Sequence, residues 1–328
     1  MKKIVSVLII ICILLCFSPV CIAADTELPF TDLDKNAWYY DDIKEAYYQG
    51  IMMGVSDTKF EPDAPVTREM FLTAFARAID ADFSYTNPDN RWQDIDYQGQ
   101  SRYYTNSIFW MANQKIAYGV DENLFGLGLL VTREEIAVFI DRMLNNDFLV
   151  LPQTDNVEDI KDVPSQWADK GVKTMLSSGV MQGKGNGIFA PKDNATRAEV
   201  AAVLLRLTAL LDKATAKFEF SSEKAVMIII DGYENGDFVD EQKYFTEDTE
   251  EILKFVEYIN AMPVTHAKRL TRKTGWPEKA TIFTIKNRGT ASQSIVIYED
   301  GVTIRTESCE YTVLSEYLLP IIELLQSK

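Results

Sequence analysis

Residues 167–197 read WADKGVKTMLSSGVMQGKGNGIFAPKDNATR, and the same frame recurs without a gap at 38–68 and at 103–133. In each, a glycine stands sixteen residues after the opening aromatic: Gly54 after Trp38, Gly119 after Tyr103, Gly183 after Trp167. A phenylalanine follows six residues later (Phe60, Phe125, Phe189), and Thr-Arg closes the frame (Thr67-Arg68, Thr132-Arg133, Thr196-Arg197). The copies stand 65 and then 64 residues apart. Four markers at fixed spacing in three copies define a repeat array.

Working outward, each copy is preceded by an acid: Asp32 in Phe30-Thr31-Asp32, Asp94 in Trp92-Gln93-Asp94, Asp162 in Ile160-Lys161-Asp162. Between aromatic and glycine, apolar residues recur at helical spacing, as Ile43, Ala46, Tyr47 and Ile51 do in the first copy. A second amphipathic run follows Thr-Arg, such as Val200, Val203, Leu204 and Leu207. The unit therefore reads helix, glycine-bearing loop, helix, over 28–80, 90–146 and 158–212, with turn-forming linkers at 85–90 and 151–156. Two short helices bury little alone, so the copies are expected to share one core.

Thr132-x-x-Glu135 and Thr196-x-x-Glu199 are capping boxes, worth about 1 kcal/mol for the cap. The first copy has Met70 at the glutamate position. Capping does not explain the arginine, because a cation in the first helical turn faces the positive end of the helix dipole. Two roles remain open. Arg68, Arg133 and Arg197, beside unpaired helix N–H groups, would suit a carboxylate or phosphate. Alternatively each pairs with a nearby acid to tie units together. The phenylalanines read as core plugs, whereas Trp38 and Trp167 suit core or groove equally. The glycines could end helices in a left-handed turn.

Phe-x-Asp, Trp, a glycine after an apolar helix, Phe-x-Pro and Thr-Arg-x-Glu together resemble the S-layer homology (SLH) domain, in three tandem copies over about 28–212. The resemblance implies an all-α, pseudo-threefold helical spindle with the second helices meeting centrally. It also implies binding of secondary cell-wall polysaccharide, often through the carboxylate of a pyruvylated amino sugar. Carried over by motif, the binding arginines are Arg68, Arg133 and Arg197. The glycines that admit a sugar are Gly54, Gly119 and Gly183. The groove aromatics are Trp38 and Trp167, with Tyr103 at the matching place, and the opening acids are Asp32, Asp94 and Asp162. The second copy departs from the pattern at Tyr103 and at Gly126-Leu127, where a proline is expected. The third copy matches best, so its groove is the favoured one.

Upstream, Met1-Lys2-Lys3 precedes an uncharged apolar run, 4–17, and the small pair Ala23-Ala24. This reads as a secretory signal peptide over 1–23, too short for a membrane span. No later segment reads as one, so an integral membrane protein is not expected. Three of four cysteines fall in the leader, leaving Cys309 and no internal disulfide. Without Lys2 and Lys3 the 33 basic residues become 31 against 49 acidic, a net charge near −18. Such a chain is a poor partner for nucleic acid, and any anion it binds needs a local cationic site.

After about residue 217 the pattern changes to a small α+β domain, 217–328. Residues 225–230, 281–285 and 294–298 read as strands, and Asp300-Gly301 as a hairpin turn into 302–306. A helix is expected over 250–259 with Thr249 as its cap, and a closing helix over 312–325. Asp231-Gly232 and Asn235-Gly236 read as turns. The basic stretch around His266, Lys268 and Arg269 reads as a solvated loop, or less readily as a patch facing an anionic surface. No catalytic set, metal site or cofactor motif is evident. The expectation is a secreted cell-wall or S-layer protein, held non-covalently by an anionic secondary wall polysaccharide or a peptidoglycan-linked glycan and displaying its C-terminal domain. An anchored polymer-acting enzyme and an S-layer structural protein are the alternatives.

Overall fold

The computed structural model describes residues 27–83, 92–95, 102–155, 159–218, 225–234, 237–262, 264–269, 279–287, 293–298, 303–305 and 309–313. The leader, the linker at 85–90, the turn at Asp300-Gly301 and the closing helix beyond 313 lie outside them.

Three helix–loop–helix units follow one another: α1 (Tyr40–Tyr48) and α2 (Arg68–Ala78), α3 (Thr105–Asn113) and α4 (Arg133–Asn146), α5 (Asp169–Ser178) and α6 (Arg197–Leu211). They do not pack as a row. The first helix of each unit lies on the second helix of the unit before it, α3 on α2 and α5 on α4, and α1 closes the circle on α6. Gly171 permits the close approach of α5, since a Cβ there would stand 3.1 Å from the Ala137 backbone. The second helices contribute the central core. Phe71 of α2 stacks on Phe139 of α4 with ring centroids 5.9 Å apart, and Val200, Leu204 and Leu207 of α6 are buried.

The segment just before each second helix seals the ring with backbone bonds. Val66 N–H donates to Ala195 C=O (3.0 Å), Ala195 N–H to Val131 C=O (3.0 Å), and Val131 N–H to Val66 C=O (2.9 Å). The three segments thus complete a cycle of identical bonds. Each needs both neighbours, so burial and hydrogen bonding form cooperatively.

At the end of α4, β1 (Leu149–Val150) pairs antiparallel with β2 (Thr215–Ala216), which follows α6. Phe148 meets the buried Phe218 edge-on at 5.7 Å. Leu151, read as the start of a linker, is buried in this junction.

The remaining elements are β3 (Ala225–Glu234), β4 (Asp237–Thr246), α7 (Thr249–Ala261), β5 (Val264–Arg269), β6 (Lys279–Asn287), β7 (Gln293–Tyr298), β8 (Thr303–Arg305) and β9 (Cys309–Val313). Strands β3 to β9 form one antiparallel sheet in the order β4-β3-β6-β7-β8-β9-β5. Helix α7 buries Ile252, Val256 and Ile259, one face at i, i+4, i+7 spacing.

Several sequence expectations change here. Asp231-Gly232 is not a turn but lies within β3, at a register shift opposite β4. The basic stretch at 264–269 is strand β5, paired to β9, not a loop. Thr312 and Val313 belong to β9 and do not open a helix; the run Cys309-Glu310-Tyr311-Thr312-Val313 is rich in strand-forming residues. The α7 cap is Asp248, whose carboxylate accepts from Glu250 N–H at 2.9 Å, one residue earlier than expected.

Candidate glycan-binding grooves

The Thr-Arg-x-Glu motif resolves into a relay. Thr132 and Thr196 close true capping boxes on α4 and α6, with Glu135 and Glu199 reaching back to the threonine N–H at 2.8 and 3.1 Å. The same glutamates then receive an arginine from the unit before. Arg68 Nη1 donates to Glu135 Oε1 at 2.6 Å, and Arg133 Nη1 to Glu199 Oε1 at 3.3 Å. One carboxylate oxygen caps its own helix, and the other ties down the neighbouring unit.

Each arginine also grips the neighbour's loop at the residue before the marked glycine. Arg68 donates to Tyr118 C=O (2.9 Å), Arg133 to Gln182 C=O (2.6 Å), and Arg197 to Met53 C=O (2.5 Å). The guanidinium planes lie over the loop phenylalanines: Arg68 over Phe125 (5.3 Å), Arg133 over Phe189 (4.8 Å), Arg197 over Phe60 (4.4 Å). All three arginines are buried, at 4%, 4% and 7% exposure. Burial pulls their pKa values down, opposed at Arg68 by Glu135 and at Arg133 by Glu199.

The helix N-termini are not open anion sites. Arg68, Arg133 and Arg197 N–H donate to Leu129, Asp193 and Ala64 C=O of the neighbouring unit at 2.9–3.0 Å. Those donors, expected to await a ligand, are already taken by the ring closure.

The opening acids also serve the loops. Asp32 accepts from Phe60 and Glu61 N–H, Asp94 from Phe125, Gly126 and Leu127 N–H, and Asp162 from Phe189 and Ala190 N–H, all at 2.6–3.2 Å. These carboxylates, read from the motif as ligand-binding groups, hold each phenylalanine loop against its own unit. The glycines have a local reason as well. A Cβ on Gly54 would stand 2.4 Å from Phe30 Cε1 and 2.5 Å from Ser56 C=O; one on Gly119 would stand 2.5 Å from Leu124 C=O and from Trp92 Nε1. None of Gly54, Gly119 and Gly183 is at positive φ, so helix termination by a left-handed turn is not their role.

The aromatics settle differently from the phenylalanines. Phe60, Phe125 and Phe189 are fully buried, as expected of core plugs. Trp38, Tyr103 and Trp167 are 63%, 59% and 58% exposed. Three large rings at one repeated position, all facing solvent, are not core.

These parts meet between units. A groove of about 360 Å³ is lined by Arg68 of the first unit, Tyr118, Gly119, Glu135 and Arg142 of the second, and Trp167 of the third. By the same offset, Arg133, Gly183 and Trp38, and then Arg197, Gly54 and Tyr103, hold the equivalent positions in the repeat. In the last set, Tyr103 lies within electrostatic range of both Arg77 and Arg197. Trp167 of the third copy thus lines a groove with the arginine of the first, and this groove belongs to no single copy. The cause is the reach of the arginine, which extends across the interface rather than back over its own helix.

A second arginine escaped the sequence reading. Arg77, Arg142 and Arg206 each stand nine residues after the Thr-Arg arginine, and Arg142 lines the groove that Arg68 floors. Arg142 donates to Ile116 C=O (3.0 Å) and lies 4.8 Å over the Tyr118 ring. The constant spacing was the available signal. Among the described residues no His, Cys, Asp and Glu group could hold a metal ion, and no helix is long and apolar enough to cross a membrane.

The S-layer homology domain profile matches residues 29–69 and 158–201, within the first and third units. Similar curated proteins include an endoglucanase of a Bacillus species, 27% identical over 215 residues, covering 63% of this chain and 22% of the relative. A cellulosome-anchoring protein of Acetivibrio thermocellus is 24% identical over 181 residues, covering 55% and 39%. A cell surface protein of Thermoanaerobacter kivui is 30% identical over 110 residues, covering 33% and 14%. The chain thus spans well under half the length of each. S-layer homology sequence is present in the chain, and with its cell-surface relatives it marks a secreted, wall-anchored protein.

Proposed function

We propose that the three units, 28–80, 90–146 and 158–212, form one wall-anchoring module whose inter-unit grooves each seat a residue of an anionic secondary cell-wall polysaccharide. A pyruvylated sugar suits the pairing of a ring face with a carboxylate. The C-terminal α+β region, 217–328, is then carried outward for display. The observation that carries this reading is the trio of exposed rings, Trp38, Tyr103 and Trp167, of which Trp167 lines a groove floored by Arg68. An apolar ring face in water is the surface a sugar stacks on. The middle unit lies outside the profile match yet supplies the same parts, and we read it as the second copy of the same domain.

Residues outside the rings divide the work. Arg142, and by the same offset Arg77 and Arg206, supply charge at the groove wall. Arg68 and Arg133 shape the floor while donating two and three hydrogen bonds to the neighbouring unit. Asp32, Asp94 and Asp162 position the loops. Nothing in an endoglucanase matched over 22% of its length assigns a reaction to this chain, and anchoring is the function that the grooves suit.

The test is co-sedimentation of the protein with purified cell-wall sacculi, intact and stripped of secondary polysaccharide. Trp38→Ala, Tyr103→Ala and Trp167→Ala run beside the parent. Binding that disappears on stripping and falls in the folded aromatic variants supports the reading. Equal binding to stripped walls by parent and triple variant overturns it.

A further inference from the structure

The chain leaves the ring of helices along a held path. Thr215 and Ala216 of β2 pair with Val150 and Leu149 of β1, and Lys217 N–H then donates to Phe148 C=O at 3.0 Å. Phe218 is buried against Phe148, and only residues 219–224 separate it from β3. The chain also returns to the ring. Ala267 N–H of β5 donates to Ala214 C=O at 3.3 Å, and both alanines are buried. Strand β5 ends the seven-stranded sheet and pairs with β9 on one side, so the bond to Ala214 comes from the sheet's outer edge.

Side chains close the same seam. Leu149, Leu151, Ala214 and Phe218 belong to one contiguous buried core with Ile252, Val256 and Ile259 of α7, and with Met262 and Ala267. Val264, at the start of β5, packs against that core. Two domains of one chain move on each other by default, unless the interface between them is large and apolar. Here the core runs through the interface without a break, and the chain is attached on both sides of it. An open strand edge also invites pairing with other chains, and covering it removes that hazard.

We propose that the C-terminal sheet is not loosely tethered cargo. It is docked on the ring of helices through the segment 214–218, which lies along β5 as an added edge and fixes the direction in which the sheet stands. The docking does not depend on what the grooves bind, whereas its consequence for display rests on the anchoring reading. With the β5 edge occupied, the strand order leaves β4 as the opposite edge, and among the described strands β4 pairs with β3 alone. At about 4.8 Å per strand, β4 stands roughly 30 Å from the seam along the sheet. A partner that adds a strand to a backbone edge therefore meets β4 and finds the β5 edge closed.

The experiment measures a distance across the seam in the mature chain by double electron–electron resonance. Cys309→Ser removes the only cysteine after the leader, and spin labels are placed at Lys173→Cys on α5 and Lys254→Cys on α7, both exposed positions. Docking gives one narrow distance distribution. Ala267→Pro removes the donor at an edge position, where a strand accepts proline, and Ala214→Glu places a charge in the buried seam. Each should broaden the distribution while circular dichroism shows both folds retained. A broad distribution in the parent overturns the proposal, and so does an equally narrow one in both folded variants. Where neither variant folds, calorimetry of the unlabelled parent decides. A single unfolding transition supports docking, and two independent transitions overturn it. No wall polymer enters these measurements, so their failure leaves the anchoring reading standing.

Discussion

Glu135 accepts Arg68 Nη1 at 2.6 Å across 67 residues of sequence, while its other oxygen closes the cap on its own helix. A single side chain is thus a local helix signal and a long-range tie. In the second and third units the glutamate that caps the second helix is also the acceptor of the preceding unit's arginine.

Removing the arginines therefore tests folding before it tests binding. Arg133→Ala strands Phe189 C=O and Gln182 C=O and leaves Glu199 Oε1 with only Lys184 Nζ, 3.9 Å away. Stranded buried groups of this kind cost about 1–3 kcal/mol, and more for a charge, so a loss of about 3–5 kcal/mol is expected. Arg197→Ala strands two carbonyls and no acid, and its loss should be smaller. Urea unfolding of both variants would show the order, and equal losses would contradict it.

The threonine caps should separate in the same way. Thr132 and Thr196 each accept from the N–H of a glutamate three residues on, and replacing either with Ala should cost about 1 kcal/mol. Thr67 makes no such bond, and its hydroxyl is buried without a partner. Thr67→Val keeps the shape and removes the stranded hydroxyl, so it should leave the protein as stable as before or more so. Thermal unfolding of the three variants decides the point.

Glycine replacements discriminate space from conformation. Gly54→Ala and Gly119→Ala place a methyl within 2.5 Å of a carbonyl, so the loop has to shift, at a cost of about 2 kcal/mol or more. Gly50 sits at φ 72 with open space around its missing Cβ, and Gly50→Ala should cost about 1 kcal/mol from strain alone. A denaturation series that ranked Gly50→Ala as the most damaging would refute this account of the loops.

The helical units were legible because their information is local and repeated. Apolar spacing placed Ile43, Ala46 and Val200 in the core, and Thr-x-x-Glu marked two helix starts from sequence alone. The grooves were not legible, because adjacency in sequence suggested that Trp167, Gly183 and Arg197 act together. Ring closure instead brings Trp167 to the groove of Arg68 and carries Arg197 to Met53 C=O of the first unit, a property of the circle rather than of any unit. In the C-terminal sheet, β5 and β9 carry polar and charged residues such as Lys268 and Glu310 at paired positions. Strand β5 lacks the apolar alternation by which a strand is read from sequence, whereas β9 shows it, in Cys309, Tyr311 and Val313, over only five residues.

The three loop aspartates should set the acid limit of the fold. For Asp32, Asp94 and Asp162, burial pushes the pKa up, but the combined backbone N–H bonds outweigh it and hold each below the usual carboxylate value. A carboxyl depressed in the folded state binds a proton more readily when unfolded. Its contribution is therefore complete above the ordinary value of 3.8, drains as pH falls below that, and is gone once the depressed folded value is passed. Asp94, with three N–H partners, should contribute the steepest part. Between pH 6 and 5 the unfolding midpoint should hardly respond to these groups, and below about pH 4 it should fall. Asp94→Asn should unfold more easily at neutral pH yet lose less on acidification than the parent, because the group no longer titrates. Melting curves from pH 6 to 3 for both proteins test this. Parallel acid losses in parent and variant would mean that other carboxylates govern acid unfolding.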